Sequence, residues 1–228
     1  MDSAYHKIET LFERDEATHR LKPELILKNP IYGDIKTWMF SEKIDGTNIR
    51  CIWTPSTTER DFGGAITTPS ELTFGGKTDN AQIHADLIKW LYENISKENL
   101  QAIFPDTSVV IYGEGYGAGI QKGGGDYSPV KKLIVFDVFV VDPINSRLGG
   151  WWLNEENVMD VCAKLGLDMV PSIGEMTLEQ VTAMVRAGFP SKLNGGKHQA
   201  EGIVGRTREA LFDKKGHRLI IKLKFRDF

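Results

Sequence analysis

The sequence predicts an α+β domain that is built mainly on antiparallel sheets with flanking helices. Two apolar stretches, Val109–Tyr112 and Leu133–Val141, have the composition of buried strands, and the chain returns to β-rich sequence at Gly202–Gly205 and Leu219–Phe225. Amphipathic helical segments lie between these stretches, and the mixture fits an α+β architecture best. No internal repeat or low-complexity linker interrupts the chain, so we expect one domain over residues 1–228.

The first two long strands are expected on either side of a tight turn. Trp38–Phe40 and Ile49–Trp53 have the pattern of strand, turn and strand, with the connection at Lys43–Gly46. Glycine pairs at Gly63–Gly64 and Gly75–Gly76 then bracket a threonine-rich segment. Such paired glycines are typical of turns, so this segment is expected to form hairpins.

Three segments carry helical signals. In the first, apolar residues recur at helical spacing between Ile83 and Ile95, and we expect the N-cap at Asp79 or Asn80. The other two are Val158–Leu165, which Gly166 ends, and a segment that begins with the capping box of Thr177 and Gln180.

Composition excludes several classes of protein. The 228 residues include 28 basic and 31 acidic side chains, a net charge of −3, so the chain is not a globally basic nucleic-acid coat. No apolar run reaches the length of about 20 residues that a membrane span needs. Cys51 and Cys162 lie far apart, and the five histidines show no zinc pattern. A reduced, intracellular compartment is the simplest interpretation, and we expect the cytoplasm, or the host cytoplasm if a virus encodes the chain.

The segment Glu42–Asn48 predicts a lysine nucleophile. Lys43 is followed two positions later by Asp45 and then by Gly46, which permits a tight turn beside a ligand. An amine attacks only when it is neutral, so the ordinary lysine pKa of about 10.4 must fall through nearby cations, a metal or desolvation. Taken alone, the same pattern also fits a charged turn between two strands.

Two carboxylates lie at predicted strand ends. Glu114, between Gly113 and Gly115, can accept a ribose hydroxyl or approach a metal, and a tight turn with a solvated glutamate is the alternative. Glu201 begins a later strand and, with Glu114, could help to hold Mg²⁺ near a triphosphate, because hard cations prefer oxygen ligands. The glycine-rich run Gly115–Gly125 lacks the spacing of a dinucleotide-binding loop and is expected to form a mobile active-site loop.

An aromatic residue and two lysines complete the candidates. Phe136, next to Asp137 in an aliphatic strand, offers a stacking face for a base or is simply part of the core. Strand periodicity sends Lys222 and Lys224 to one face. Two adjacent ammonium groups suit a phosphate chain and would help to lower the pKa of Lys43, whereas an edge strand protected by lysines is the alternative.

Taken in order, these elements resemble the covalent nucleotidyltransferase superfamily, which comprises polynucleotide ligases and mRNA capping enzymes. The matching elements are Lys43–Gly46, Tyr112–Gly115, Val135–Val138, Glu201–Val204 and Lys222–Lys224. They span nearly the whole chain. The resemblance implies a nucleotidyltransferase fold, the ATP-grasp-like adenylation domain of ligases, and the few residues after Lys224 imply that no C-terminal OB-fold follows.

Within this superfamily, the chain is most similar to ATP-dependent RNA ligases of the RNA ligase 2 type. Asn48 stands where DNA ligases and capping enzymes usually carry arginine, and Glu42 matches the RNA ligase position that reads the adenine amino group. The segment around Lys77 resembles one in which arginine often takes that place, and Arg60 is the rival for the same phosphate or end contact. RNA ligase 2 itself has histidine where Asp45 stands.

The resemblance implies a three-step reaction with ATP and Mg²⁺ or Mn²⁺. The lysine becomes lysyl-AMP, AMP passes to the 5′-phosphate of a polynucleotide, and a 3′-hydroxyl then attacks that phosphate and releases AMP. The implied catalytic residues are Lys43, Asp45, Lys222 and Lys224. The implied nucleotide contacts are Glu42, Lys43, Gly46, Asn48, Lys77, Glu114, Phe136, Glu201, Lys222 and Lys224. The implied metal residues are Glu201 and Glu114.

The implied partners are ATP and RNA ends, with DNA ends as the alternative. We expect a monomer without a membrane partner, assisted by a helper or nucleic-acid-binding protein, because no C-terminal module is expected. The alternative functions are an ATP-dependent DNA ligase, a GTP-dependent mRNA capping guanylyltransferase and an inert nucleic-acid-binding relative. Asn48 argues against the capping enzyme, and the intact Lys43 argues against the inert relative.

Overall fold

The computed structural model describes residues 4–61, 64–142 and 149–228. The strands are β1 Glu9–Thr10, β2 Trp38–Lys43, β3 Thr47–Thr54, β4 Thr57–Asp61, β5 Gly64–Thr68, β6 Glu71–Gly75, β7 Val109–Tyr116, β8 Lys132–Val141, β9 Gly150–Trp152, β10 Asp168–Met169, β11 Ser172–Met176, β12 Gly202–Arg206 and β13 Ile220–Lys224. The helices are α1 Ile31–Asp34, α2 Ala85–Asn94, α3 Lys97–Ile103, α4 Gly124–Tyr127, α5 Glu155–Leu165 and α6 Leu178–Ala187, and short 3₁₀ turns cover Asn194–Gly196 and Phe225–Asp227. Most strand pairs are antiparallel, which confirms the predicted α+β class.

The chain forms two compact units. The first comprises residues up to 5 and 46–169, and the second comprises residues 6–45 and 170–228. The boundary therefore falls directly after Asp45, within the predicted nucleophile segment. The single domain expected over residues 1–228 stays a prediction.

The first unit is built on a six-stranded sheet. Its order is β10-β8-β7-β3-β6, with β9 paired to β8, and only the pair of β8 and β10 is parallel among these neighbours. Alternation along β3 sends Ile49, Cys51 and Trp53 into a core that α2, α3 and α5 complete. The opposite face is left for Asn48 and Arg50. Strands β4 and β5 form the expected hairpin, although Gly63 lies outside the described residues.

The helix ends follow local capping chemistry. Helix α2 is capped by His84, whose Nδ1 accepts a hydrogen bond from the backbone N–H of Asp86 at 3.2 Å, so the predicted N-cap at Asp79 or Asn80 is wrong. Gly166 ends α5 with a left-handed φ of 68°, and the capping box of Thr177 and Gln180 begins α6, as predicted. No helix in the described ranges combines the length and the apolar character needed to cross a membrane.

The second unit contains a five-stranded sheet in the order β1-β13-β12-β2-β11. Its neighbours are antiparallel except for β1 and β13. Phe40, Ile203 and Leu223 point to one face of this sheet, where they pack in a core with Val181 and Val185 of α6. Because β12 lies between β2 and β13, the ends of those two strands are brought to either side of β12.

Candidate active site

Lys43 and Lys224 lie in one row across three strands. Lys43 ends β2, Lys224 ends β13, and both are register partners of Gly202 in β12. Because Gly202 has no side chain, no side chain lies between the two lysines in this row. A Cβ at Gly202 would lie 2.1 Å from the carbonyl oxygen of Leu223, so only glycine fits this position. The predicted nucleophile and one predicted phosphate-binding lysine are thus neighbours.

Glu201 bridges the two lysines. Lys43 Nζ donates to Glu201 Oε2 at 2.7 Å, and Lys224 Nζ lies 2.5 Å from Oε1 as an ion pair without good hydrogen-bond alignment. The Glu201 side chain is only 8% exposed, so its charge is poorly screened by water. Two lysines around one buried carboxylate leave an excess of positive charge, which suits a phosphate ligand.

Lys222 belongs to the same face of the sheet. It is the register partner of Val204, two positions along β12 from Gly202. This two-residue spacing puts Lys222 on the same face as Lys224, as predicted. Burial lowers the pKa of Lys222, and the charges of Lys224, Lys43 and Arg14 lower it further. The positive charges around Lys222 are therefore close enough, in a half-buried site, to favour its neutral form.

Glu42 points to the opposite face of the sheet from Lys43. Its register partner is Ile203, which lies in the core of the second unit, and Glu42 itself is buried. Its Oε2 accepts a hydrogen bond from the backbone N–H of Lys192 at 2.8 Å. Its Oε1 is buried and has no hydrogen-bond partner among the described residues. This oxygen is an acceptor that a donor such as an amino group could satisfy.

Asp45 and Gly46 connect β2 to β3. Asp45 is half-buried. A Cβ at Gly46 would lie 2.2 Å from the Gly115 carbonyl oxygen and 2.9 Å from Glu114 Cγ, so glycine is required by a close approach to β7. The Gly46 carbonyl oxygen also accepts a hydrogen bond from Gln121 Nε2 at 2.9 Å.

Gln121 is a site residue that the sequence analysis did not find. It lies in the glycine-rich segment expected as a mobile loop, which begins inside β7 and runs into α4 at Gly124. A short bridge between Ala118 and Gln121 orders the middle of the segment. Its mobility stays a prediction. No local pattern marks Gln121, because its contact with Gly46 spans 75 positions of sequence.

Asn48 and Glu114 are brought together in the first unit. They are direct register partners in the antiparallel pair of β3 and β7, so their side chains lie on the same face. Asn48 Oδ1 is buried and has no hydrogen-bond partner in the described part of the chain. Glu114, which is expected to accept a ribose hydroxyl, therefore faces Asn48, an expected nucleotide contact whose Oδ1 can still accept a hydrogen bond.

Phe136 lies at an irregularity in β8. The register with β7 shifts between Tyr112, opposite Asp137, and Gly113, opposite Val135, which leaves Phe136 as the bulged residue. The Tyr5 ring packs edge-on against Phe136 with centroids 5.0 Å apart, and its hydroxyl donates to Asp137 Oδ2 at 2.7 Å. Phe136 is half-buried. An aromatic residue from the N-terminal segment thus supports the expected base-stacking residue.

Arg50 holds the segment that precedes Lys77. Its Nε donates to the Gly76 carbonyl oxygen at 2.7 Å, and its Nη2 lies 2.9 Å from Asp79 Oδ1. Period-two spacing from Asn48 could have placed Arg50 on the same face of β3. Lys77 is exposed, and the side chain of Arg60 lies outside the described part of the chain.

A metal site is not apparent from protein ligands alone. Within the described residues, no three histidine, cysteine, aspartate or glutamate side chains are grouped closely enough to hold a metal ion. Glu114 and Glu201 belong to different units. Each nevertheless supplies the carboxylate oxygens that Mg²⁺ and Mn²⁺ prefer.

Comparison with known proteins identifies the family. The family model for RNA ligase matches residues 36–224, which include all the predicted site residues. A search of curated protein sequences finds no match.

The fold is similar to solved structures of Naegleria gruberi RNA ligase. A lysine-to-alanine variant with ATP and Mn has 16% identity and a TM-score of 0.57, and the match covers 97% of this chain and 61% of that one. A glutamate-to-alanine variant with ATP and Mn has 16% identity and a TM-score of 0.60, covering 96% and 59%. The same ligase with PPi has 14% identity and a TM-score of 0.57, covering 96% and 61%.

This chain therefore spans about three fifths of the length of the solved ligase to which it is compared. Identities at this level show a shared fold, and the family model, which matches most of the chain, shows membership. The chain belongs to the RNA ligase family.

Proposed function

We propose that this protein is an ATP-dependent RNA ligase that joins 5′-phosphate and 3′-hydroxyl ends through lysyl-AMP and an adenylylated end. The observation that carries the proposal is the contact of Lys43 and Lys224 with one buried carboxylate, Glu201, in a chain of the RNA ligase family. A lysine nucleophile needs a second cation at the phosphate that it attacks, and this row of residues supplies one.

In the first step, Lys43 Nζ forms a bond to the α-phosphorus of ATP. The bond between that phosphorus and the bridging oxygen breaks, and pyrophosphate leaves with the electron pair. Lys43 must lose its proton before or during attack, and Glu201 Oε2 at 2.7 Å is within hydrogen-bond reach to accept it. Lys222 and Lys224 would hold the α-phosphate and offset its developing charge.

The remaining nucleotide contacts are assigned by chemistry. Asn48 and Glu114 would bind the ribose, since they face each other and an Asn48 oxygen is without a partner among the described residues. Phe136 would stack on adenine. Glu42 faces away from Lys43 but lies one residue before the end of β2. Its buried Oε1 would accept a hydrogen bond from the amino group of adenine, which the oxygen at the same position of guanine cannot donate.

Three further residues complete the assignment. Gly46 permits a close approach of its own backbone to β7. Asp45 follows the nucleophile and belongs with the catalytic residues of the proposal. Lys77 would contact a phosphate or a polynucleotide end, with Arg60 as the alternative.

Divalent metal is part of the proposal. Glu201 and Glu114 would hold Mg²⁺ or Mn²⁺, and the bound ion would offset negative charge on the transferring phosphoryl group. The solved structures of Naegleria gruberi RNA ligase with ATP and Mn, and with AMP and Mn, support ATP as the substrate and a divalent ion as the cofactor. The expected monomer, helper protein and cytoplasmic location stay predictions.

The proposal is tested by covalent labelling. The pure protein is incubated with Mg²⁺ and α-labelled ATP or GTP and resolved on a denaturing gel, beside Lys43→Ala and the exposed control Lys164→Ala. We expect label from ATP on the unchanged protein and on the control, and none on Lys43→Ala. Label from GTP alone would favour a capping enzyme. No label from either, with the fold intact, would contradict the ligase mechanism.

The polynucleotide is identified in a second assay. Labelled protein is mixed with 5′-phosphorylated RNA or DNA strands, as nicks, breaks and single strands. We expect AMP to pass to RNA ends and the RNA ends to be joined. Preferential joining of DNA would replace RNA ligase with DNA ligase in the proposal.

A further inference from the structure

Arg14 and Lys224 are joined through one carboxylate. Arg14 Nη2 lies 2.6 Å from Asp227 Oδ1, and the backbone N–H of Lys224 donates to Asp227 Oδ2 at 3.1 Å. All three residues belong to the second unit. A side chain from the N-terminal part of the chain is therefore connected to the last residue of β13.

The carboxylate in this connection is almost completely buried. The Asp227 side chain is 3% exposed, and the Arg14 side chain is 31% exposed. A buried carboxylate is costly unless it has charged or hydrogen-bonding partners. Arg14 supplies the positive charge, so it determines where the Asp227 carboxylate lies and at which angle Asp227 meets Lys224.

Lys224 has to be held accurately for the proposed chemistry. Its Nζ lies 2.5 Å from Glu201 Oε1, and the next residue, Phe225, donates its backbone N–H to the Glu201 carbonyl oxygen at 2.9 Å. The backbone at Lys224 is thus fixed from both sides, by Glu201 and by Asp227. A shift of Lys224 would move its ammonium group away from the Lys43 row.

We propose that Arg14 is a positioning residue for phosphate binding, which acts through Asp227 to fix the backbone of Lys224. The inference rests on the proposed function, in which Lys224 holds the α-phosphate of ATP. It extends that function to a residue 29 positions before Lys43. Arg14 acts without touching the nucleotide, because its guanidinium is directed to Asp227.

A second observation agrees with this role. The charge of Arg14 contributes to the lowered pKa of Lys222, together with burial and the charges of Lys224 and Lys43, while Glu9 opposes the shift. Arg14 is therefore close enough to influence the phosphate-binding lysines electrostatically. Its Nε is buried and lacks a hydrogen-bond partner among the described residues, so Asp227 is its principal anchor.

The test measures lysyl-AMP formation at a series of ATP concentrations. The variants are Arg14→Ala, Arg14→Lys and a control, Lys22→Ala, which removes the neighbouring ion pair between Lys22 and Glu13. We expect Arg14→Ala to raise the half-saturating ATP concentration about tenfold, because a displaced Lys224 would lose its charge-assisted hydrogen bond to the α-phosphate. The maximal rate should fall less. Arg14→Lys should recover most of the affinity, and the control should behave like the unchanged protein.

A double variant, compared with Asp227→Ala, covers the case in which Arg14→Ala does not fold. The double variant Arg14→Ala/Asp227→Ala removes the buried charge together with its partner, which avoids an unpaired carboxylate. Because the two residues act through one connection, the double variant should be no worse than Asp227→Ala alone. Melting temperatures of all variants separate loss of folding from loss of ATP binding.

Several results would overturn the inference. These are normal ATP dependence in folded Arg14→Ala, an Arg14→Lys variant as impaired as Arg14→Ala, or additive effects in the double variant. Failure of the unchanged protein to form lysyl-AMP at any ATP concentration is a different result, since it would contradict the proposed function and remove the basis of this inference.

Discussion

Asn48 of β3 and Glu114 of β7 face each other directly across an antiparallel pair, and Asn48 Oδ1 is buried with no hydrogen-bond partner in the described part of the chain. An unsatisfied buried acceptor is uncommon in folded proteins. A ligand hydroxyl that donates to it would satisfy it. The pair therefore combines a ready acceptor with a neighbouring carboxylate, as a ribose site requires.

Removing Asn48 should weaken recognition of the ribose. We expect Asn48→Ala to raise the half-saturating ATP concentration for lysyl-AMP formation about tenfold, because one hydrogen bond is lost. ATP is compared with 2′-deoxy-ATP and 3′-deoxy-ATP. The unchanged protein should discriminate against at least one deoxynucleotide, and the variant should discriminate less.

The control for this prediction is Thr58→Ala, which alters an exposed threonine pair with Thr67 in the hairpin of β4 and β5. It should leave all three nucleotide dependences unchanged. If Asn48→Ala keeps full discrimination between ATP and both deoxynucleotides, Asn48 does not contact the ribose.

Gly46 should tolerate no side chain. A Cβ there would lie 2.2 Å from the Gly115 carbonyl oxygen, which is backbone and cannot move aside cheaply. We expect Gly46→Ala to reduce the free energy of unfolding by about 2 kcal/mol, the usual cost of overpacking. Chemical denaturation measures this change directly.

Gly125→Ala is the matched control for Gly46→Ala. A Cβ at Gly125 would lie 3.8 Å from Ala118 Cβ, an ordinary contact, and Gly125 lies in α4, where alanine is favoured. The control should retain or slightly increase stability. Equal stability of the two variants would show that the turn at Gly46 can open to admit a methyl group.

Local sequence patterns predicted the elements and the lysine faces. The capping box of Thr177, the stop at Gly166 and the two-residue spacing of Lys222 and Lys224 all depend on neighbours within a few positions. The same alternation, applied to Glu42, would have placed it on the opposite face of the sheet from Lys43. That step was available from the sequence.

Contacts between distant residues could not be predicted in this way. Arg14 meets Asp227 across 213 positions, and the Tyr5 hydroxyl meets Asp137 across 132. Periodicity describes the face of one element and carries no information about which distant side chain will cover that face. The pairing of Arg14 with Asp227 follows from the topology of the second unit, in which β1 lies beside β13.

The buried hydrogen bond of Arg50 should contribute more to the free energy of unfolding than its ion pair with Asp79. Arg50 is 1% exposed, whereas its partner Asp79 is 87% exposed, so the pair is well screened on one side. The bond from Arg50 Nε to the Gly76 carbonyl oxygen is buried. We expect Arg50→Lys to cost about 2 kcal/mol in the free energy of unfolding, because an ammonium group cannot reproduce the planar fork.

Asp79→Asn separates the two contacts of Arg50. It keeps an oxygen acceptor but removes the negative charge, and the cost should be below about 1 kcal/mol. Denaturant titrations of both variants give the comparison. A larger loss in Asp79→Asn than in Arg50→Lys would mean that the ion pair, and not the buried bond to Gly76, holds the segment before Lys77.

The positive charge of Lys222 should lower the free energy of unfolding of the nucleotide-free protein. Burial and the neighbouring cations lower its pKa below the ordinary value of 10.5, so the folded protein disfavours the protonated form. Below the lowered pKa, both the folded and unfolded chains carry the proton, and the folded protein bears the full penalty. As pH rises from the lowered pKa towards 10.5, the folded chain loses the proton first and the penalty disappears.

Replacing Lys222 with methionine should therefore raise the melting temperature while impairing ATP binding. Methionine keeps an unbranched stem of similar length and removes the charge. The gain in melting temperature should be greatest near neutral pH and should shrink as the pH approaches 10.5. Lys164→Met, at an exposed position of α5, is the control and should show no such pH dependence. A gain that is constant with pH would mean that methionine stabilises the site by packing, and that the charge of Lys222 is not the source of the penalty.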